Sequence, residues 1–297
     1  PRSTLFPYTT LFRSERAVII AEDDDSIRPW GNDINLNKEA ILPPFKRPVG
    51  AERTLVLGWN RRGPIIATEL SRYVTPGSHL TIAADTPDFE ADIAALTLPN
   101  DNMTIEHHVF DTSSRAALDR LNIPSFDHVL VLGYSDHMTM QSADTRTLIT
   151  LLHIRKIAEG AGLHINVVSE MTDVRNRELA EVTRADDFVV SNKLVSLMLA
   201  QASENQYMAA IFAELLDENG SEIYMRPMSD YVAIDRPVNF FTVALAALRR
   251  GEIAIGYRRQ RADDPDHRNL GGVTVNPSRS EMVSYTPQDM VIVLAQD

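Results

Sequence analysis

The sequence predicts an α/β protein: a doubly wound parallel sheet, then a crossover helix pair and a small α+β lobe. Three observations predict it. Short apolar runs alternate with helical patterns from Thr54 to about Asn205. A glycine-bounded turn, Gly58 to Gly63, lies between the first strand and the first helix. After Asn192 that rhythm breaks into two apolar-rich helices and several shorter strands. Alternating strands and helices imply a parallel sheet covered on both faces, the Rossmann-like arrangement.

The elements follow in order. Residues 1–14 (PRSTLFPYTTLFRS) repeat Thr-Leu-Phe without helix or strand period and are set aside as a non-native or disordered segment. Ala17 to Ala21 reads as a short strand, followed by the acidic run Glu22-Asp23-Asp24-Asp25. Residues 28 to 50 are proline-rich and read as a linker, so 15–52 forms one preceding segment. Thr54 to Leu57, Leu80 to Ala84, Thr104 to Phe110, His128 to Leu132, His164 to Ser169 and Asp187 to Val190 read as strands. Unbroken runs such as Val129-Leu130-Val131-Leu132 suit strands buried on both sides. Between them, Pro64 to Tyr73, Phe89 to Leu96, Ser114 to Leu121 and about Ser142 to Glu159 read as helices, the last stopping near Gly160 and Gly162. This is domain 53–205.

Residues 206–297 follow as a hinge helix and a C-terminal lobe. Leu194 to Ala202 and Tyr207 to Leu216 form the helix pair. Ile223 to Arg226, Glu252 to Tyr257, Gly272 to Val275 and Met290 to Leu294 are strands, Phe241 to Arg249 a helix, and Arg261 to Asn269 an exposed acidic loop. Arg250 to Gly256 echoes Glu15 to Ala21, so the first residues are either the tail of a preceding copy of the unit or a chance match.

Composition narrows the function. The net charge is −12 and the pI about 5.1. That argues against nucleic acid, whose phosphates need a surplus of Lys and Arg. With no cysteine there is no disulfide, thiolate metal site or cysteine nucleophile. No stretch approaches the roughly 18 apolar residues of a membrane span. Any spans belong to sequence upstream, where the reading frame looks truncated.

Gly58-Trp59-Asn60-Arg61-Arg62-Gly63 occupies the place where such a fold binds phosphate through free N–H groups and the helix dipole. Asp85 ends the second strand, where an acid would meet a ribose hydroxyl. Yet Asn60 replaces the middle glycine of G-x-G-x-x-G, and Trp59, Arg61 and Arg62 are bulky there. A tight turn closing the sheet without ligand is therefore preferred, and NAD is not expected. Gly133 to His137 ends the fourth strand and flanks the same crevice. Asp85, Asp111 and Asp136 ring the strand ends, which suits a cation or a hydroxylated ligand, or simply turn and cap acids. Glu22, Asp23, Asp24 and Asp25 offer carboxylates to Ca²⁺, but neighbours on an extended chain face apart and a solvated acidic run is the commoner use. His107 and His108 cannot converge on one metal. There is no G-x-S-x-G elbow and no Tyr-x-x-x-Lys pair, and the second lobe has no lysine, so an enzyme is not expected. The candidate ligand residues are Gly58, Asn60, Arg61, Gly63, Asp85 and Asp136. Leu194, Leu197, Met198, Met208 and Phe212 on the helix pair read as core or as a subunit interface.

Seven stretches in one order carry a resemblance: Ala21 to Ser26, Ser142 to Leu148, Ser191 to Ser196, Arg226-Pro227, Ile255 to Arg258, Val275 to Ser278 and Asp289 to Leu294. With the Rossmann lobe, crossover pair and small lobe, they resemble the RCK (TrkA-N-like) regulatory region of CASTOR/POLLUX ion channels. The resemblance implies upstream pore helices of the same protein, tandem RCK domains in a homo-tetrameric gating ring, and a place on the cytoplasmic face of a membrane, in bacteria the plasma membrane. It implies potassium or other cation transport and suggests Ca²⁺ as ligand. The alternatives are a soluble TrkA-like NAD-binding subunit of a potassium transporter, and an NAD(P)-dependent oxidoreductase.

Overall fold

The computed structural model describes residues 35–45, 50–163, 165–176, 187–204, 207–217, 220–259 and 272–296. The strand at 17–21, the acidic run Glu22 to Asp25 and the loop at 261–269 lie outside them. The chain divides into two compact units, residues 47–218 and a second made of 1–46 with 219–297.

The first unit is built on six strands: β1 (Arg53–Leu57), β2 (Ser78–Ala84), β3 (Met103–Val109), β4 (His128–Val131), β5 (Asn166–Met171) and β6 (Asp187–Val190). Their order is β3-β2-β1-β4-β5-β6 and every pairing is parallel. The expected doubly wound sheet is therefore present, with its switch point between β1 and β4, where such sheets open a crevice at the strands' carboxyl ends. Leu55, Leu57, Val129 and Val131 bury one face against α4 (Met140–Ala161), and Val56, Leu80 and Ile82 bury the other under α1 (Gly63–Tyr73) and α2 (Phe89–Ala95). Two buried faces explain why these strands read as unbroken apolar runs. A short α3 (Arg115–Arg120) crosses from β3 toward β4.

Helix ends follow local chemistry. Pro64 sits in the first turn of α1, where a missing N–H costs nothing. The Thr139 hydroxyl accepts from Ser142 N–H, which starts α4 at Met140, before the sequence-based Ser142. Gly162, in the left-handed region, ends it. Then α5 (Ser191–Glu204) and α6 (Met208–Leu215) form the predicted pair.

The second unit holds an antiparallel sheet in the order β10-β9-β12-β7, from β7 (Glu222–Pro227), β9 (Ile253–Arg258), β10 (Val273–Val275) and β12 (Met290–Ala295). One face packs on α7 (Phe240–Leu248) through Val243, Ala246, Val291 and Val293. A two-stranded ladder of β8 (Val238–Asn239) and β11 (Met282–Val283) escaped the sequence reading, because two residues carry no period. The linker reading also needs revision in part. Residues 35–45 include a short 3₁₀ turn, Lys38–Ala40, and place Ala40 in the core of this second unit.

Candidate functional site

The turn after β1 is a set of contacts that satisfy one another. Gly58 has φ +91°, and a Cβ there would stand 2.2 Å from the Leu132 carbonyl oxygen, so only glycine lets β1 leave the sheet beside β4. Trp59 is 1% exposed. Its ring lies against Phe89 and its indole N–H donates to Asp92 at 3.0 Å. A Cβ on Gly63 would fall 2.6 Å from that ring, so Gly63 is glycine to seat a tryptophan beneath the helix start. Close packing at the helix start is the role that the last glycine of such a motif ordinarily has.

Asn60 points into the crevice. Its side-chain amide donates to the Gly133 carbonyl (2.7 Å) and the Glu170 carboxylate (2.9 Å), and its oxygen accepts from Arg62 N–H at 2.9 Å. Glu170, 8% exposed, also accepts from Gly133 N–H at 3.2 Å and is ion-paired with the Arg62 guanidinium. The Asp136 carboxylate accepts from Arg61 N–H at 2.6 Å, with the Arg61 guanidinium 3.6 Å away. Gly63 N–H goes to the Asn60 carbonyl. Each N–H from Arg61 to Gly63 is thus spoken for, and Asp136 supplies the negative charge that a helix start attracts. A dinucleotide pyrophosphate does not fit this turn: it would have to displace Asp136 and sit beside Glu170, anion against anion.

The outer part of the crevice is organised by a residue outside the glycine motif. Arg146, on α4, donates to Asp85 at 2.5 Å and to Asp111 at 2.7 Å, and lies over the Tyr134 ring at 3.9 Å. Asp85 and Asp111 are thereby joined, while Asp136 serves the turn. The three acids do not converge as a cation seat, because the cation already there is a guanidinium. Burial acts to raise the Asp111 pKa, but hydrogen bonds from Ser113 and the charge of Arg146 outweigh it and hold the group below its ordinary value. Burial pushes the Tyr134 hydroxyl up, and it pairs with Thr112 at 2.9 Å. Beside Arg146 is an open depression of about 490 Å³ lined by Asp111, Ser113, Gln141, Ser142 and Thr145 with Met138 and Ile149. No group of three or more His, Asp and Glu able to hold a metal ion occurs among the described residues.

Asp144, two residues before Arg146 on α4 and 2% exposed, accepts from Thr172 N–H (3.0 Å), Thr172 hydroxyl (2.6 Å), Asp173 N–H (3.0 Å) and the Asn176 amide (2.8 Å). It fixes the loop after β5. Asn192, at the start of α5, reaches the Thr172 carbonyl at 3.4 Å. Arg146, Asp144 and Asn192 all fall in the stretches that carried the family resemblance, the one signal that could have found them.

The helix pair is the opposite of this interior. Leu194, Val195, Leu197 and Leu199 of α5 are exposed, Leu199 to 67%. Among α6 residues none is buried, and Met208 and Phe212, like Met198 of α5, are half-buried. A helix apolar on all sides belongs in an interior. The second unit repeats the pattern, since Ile223, Met225 and Ile253 are exposed on the sheet face opposite α7.

No family model matches the chain. It is 31% identical over 286 residues to a probable ion channel CASTOR of Oryza sativa subsp. japonica, covering 84% of this chain and 32% of that protein. To a probable ion channel POLLUX of Arabidopsis thaliana it is 28% identical over 322 residues, covering 96% and 38%. To the ion channel CASTOR of Lotus japonicus it is 27% identical over 324 residues, covering 96% and 36%. The resemblance read from the sequence therefore holds along almost the whole chain, which spans about a third of the length of these curated relatives. Among solved structures, the human SLO3 gating ring matches with a TM-score of 0.53 at 12% identity, over 83% of this chain and 44% of that one, which shows the fold. Among the described residues no helix is long and apolar enough to cross a membrane.

Proposed function

We propose that this chain is part of the regulatory gating-ring region of a CASTOR/POLLUX-like cation channel, working on the cytoplasmic face of a membrane. Its pore would be a separate part of the same protein, and four subunits carrying tandem RCK domains would form the ring. The observation that carries this reading is the helix pair α5–α6, whose exposed leucines require a covering protein surface, in a chain similar to channels along nearly its full length. An effector that binds one ring conformation better than another would shift the pore equilibrium by that difference in affinity.

The turn at Gly58 to Gly63 serves in this reading as a rigid corner, with Gly58, Asn60, Arg61, Gly63 and Asp136 holding β1 to β4 and β5. Ca²⁺ is carried as the proposed effector from the family. To use Asp85 and Asp111 it would have to displace Arg146. The occupied N–H groups speak against both the NAD-binding subunit and the oxidoreductase. Two measurements test the reading. Sedimentation of the chain should show self-association that Leu197→Glu with Leu199→Glu abolishes. Calorimetric titration with NADH should show no binding, and tight NADH binding with turnover of any substrate would overturn it. The upstream reading frame separates the rest: membrane spans and a pore loop favour the channel, a start codon near residue 15 a soluble subunit.

A further inference from the structure

Residues 35–45 precede the Rossmann unit in sequence, yet they are held by the lobe at the other end of the chain. The Asn239 amide donates to the Asn35 carbonyl at 2.5 Å, and Asn37 N–H donates to the Thr242 hydroxyl at 3.1 Å. Asn239 is also the cap of α7, accepting from Thr242 N–H at 3.0 Å. One side chain thus both starts the helix and grips the segment. Ala40 and Ile41 follow. Ala233 N–H donates to the Ala40 carbonyl (2.8 Å) and Leu42 N–H to the Tyr231 carbonyl (2.9 Å), making Ile41 and Val232 a bridged antiparallel pair. Ala40 is 0% exposed, among Tyr231, Val232 and Val243.

Arg250 closes the grip. Its guanidinium stacks on the Tyr231 ring at 4.4 Å and donates to the carbonyls of Asp230, Pro43 (3.1 Å) and Phe45 (3.4 Å). Tyr231 is itself fixed from below, its hydroxyl donating to Glu252 at 2.5 Å while Glu252 pairs with Arg226 at 3.2 Å. The carbonyls of Asn35, Ala40, Pro43 and Phe45 all accept hydrogen bonds from lobe groups. The lobe treats this stretch as a docking surface treats an extended peptide, through main-chain hydrogen bonds with one small side chain in a pocket.

We propose that the C-terminal lobe is the anchorage for the chain that arrives from upstream of residue 35. Residues 35–45 are its built-in peptide ligand, so a movement of the lobe reaches the upstream chain directly rather than through the parallel sheet. The anchorage stands on the contacts above. Only its use in gating rests on the channel reading, and the experiment below tests the anchorage by itself.

Hydrogen exchange on the intact chain reads it. The amides of Leu42 and Ala233 should exchange together with those of Val291 and Val293. Val293→Ala, which hollows the lobe core, should speed the Leu42 and Ala233 amides by roughly tenfold or more, the exchange equivalent of ~1.4 kcal/mol. Val129→Ala, an equal cut in the parallel sheet, should leave them unchanged. Arg250→Lys, which keeps the charge and loses the forked geometry, should speed Leu42 while sparing Val293. The chain has no cysteine of its own, so Ile41→Cys with Val232→Cys gives a second reading. A non-hydrogen-bonded antiparallel pair brings Cα atoms to about 4.5 Å, within disulfide reach. The pair should crosslink within one chain and raise the lobe's melting point. An unprotected Leu42 amide, a Leu42 amide that follows Val129→Ala instead of Val293→Ala, or a disulfide between two chains would each overturn the anchorage.

Discussion

The turn at Gly58 to Gly63 and the helix pair α5–α6 lie in the same unit and solve opposite problems. In the turn, polar groups are paired within the unit: Asn60 with Gly133 and Glu170, Arg61 N–H with Asp136, Trp59 with Asp92, with Arg62 Nε the buried exception. In the pair, apolar groups are exposed: Leu194, Val195, Leu197 and Leu199 face outward, and Met198, Met208 and Phe212 are half-buried. The turn's contacts are made within the unit; the pair leaves large apolar side chains exposed.

That contrast can be broken in several places. The largest effect should come from Gly58→Ala, which puts a Cβ against the Leu132 carbonyl at a positive φ. A loss of about 3 kcal/mol or more is expected from strain plus the forced parting of β1 and β4. Urea unfolding followed by circular dichroism checks it; an unchanged midpoint would mean the turn is not rigid. Next is Glu170→Ala, which strips Arg62 of its ion pair and Asn60 and Gly133 of an acceptor. About 2 kcal/mol should be lost. Arg62→Met made together with it should recover part of that, since the cost lies in the charge left behind.

A smaller effect tests the outer rim. The folded Asp111 carboxyl has a lowered pKa, so the stability it contributes is present above the ordinary carboxylate value, about 3.9, and is lost as pH falls through its folded value. The stability gap between the chain and Asp111→Asn should therefore be constant from neutral pH to about 5 and close below about 4. A gap that does not shrink at all on acidification below the ordinary carboxylate range would show that Asp111 matters for shape and not for charge. Smallest of all on stability is Leu197→Glu with Leu199→Glu, expected within about 0.5 kcal/mol for the isolated chain because both side chains face water. The same change should abolish self-association in sedimentation. A large fall in melting temperature would instead place those leucines in an intramolecular core.

How much was legible follows from distance along the chain. The alternating strands and helices of the parallel sheet were readable because most strands carry their own apolar run and most helices their own period, which are local properties. Gly58, Asn60, Arg61, Gly63 and Asp136 were placed together by topology alone, since β1 and β4 flank the switch point. Glu170 and Arg146 were not, because nothing around either one signals a partner: Asn60 and Glu170 are 110 residues apart and Arg146 and Asp85 are 61. The segment at 35–45 was hidden most deeply. Its prolines mark a linker, and what makes it part of a lobe is a set of side chains some 200 residues later.

That last separation has a consequence for how the protein is made. Asn37 meets Thr242 only after 205 further residues have been synthesised, and β12, an inner strand of the lobe sheet, follows later still. Domains generally fold as units in the order they leave the ribosome, so the Rossmann unit can close while residues 35–45 wait without a partner. The lobe then assembles around the segment at 35–45. Until residues 230–250 have emerged, the segment at 35–45 lacks the groups that hold it.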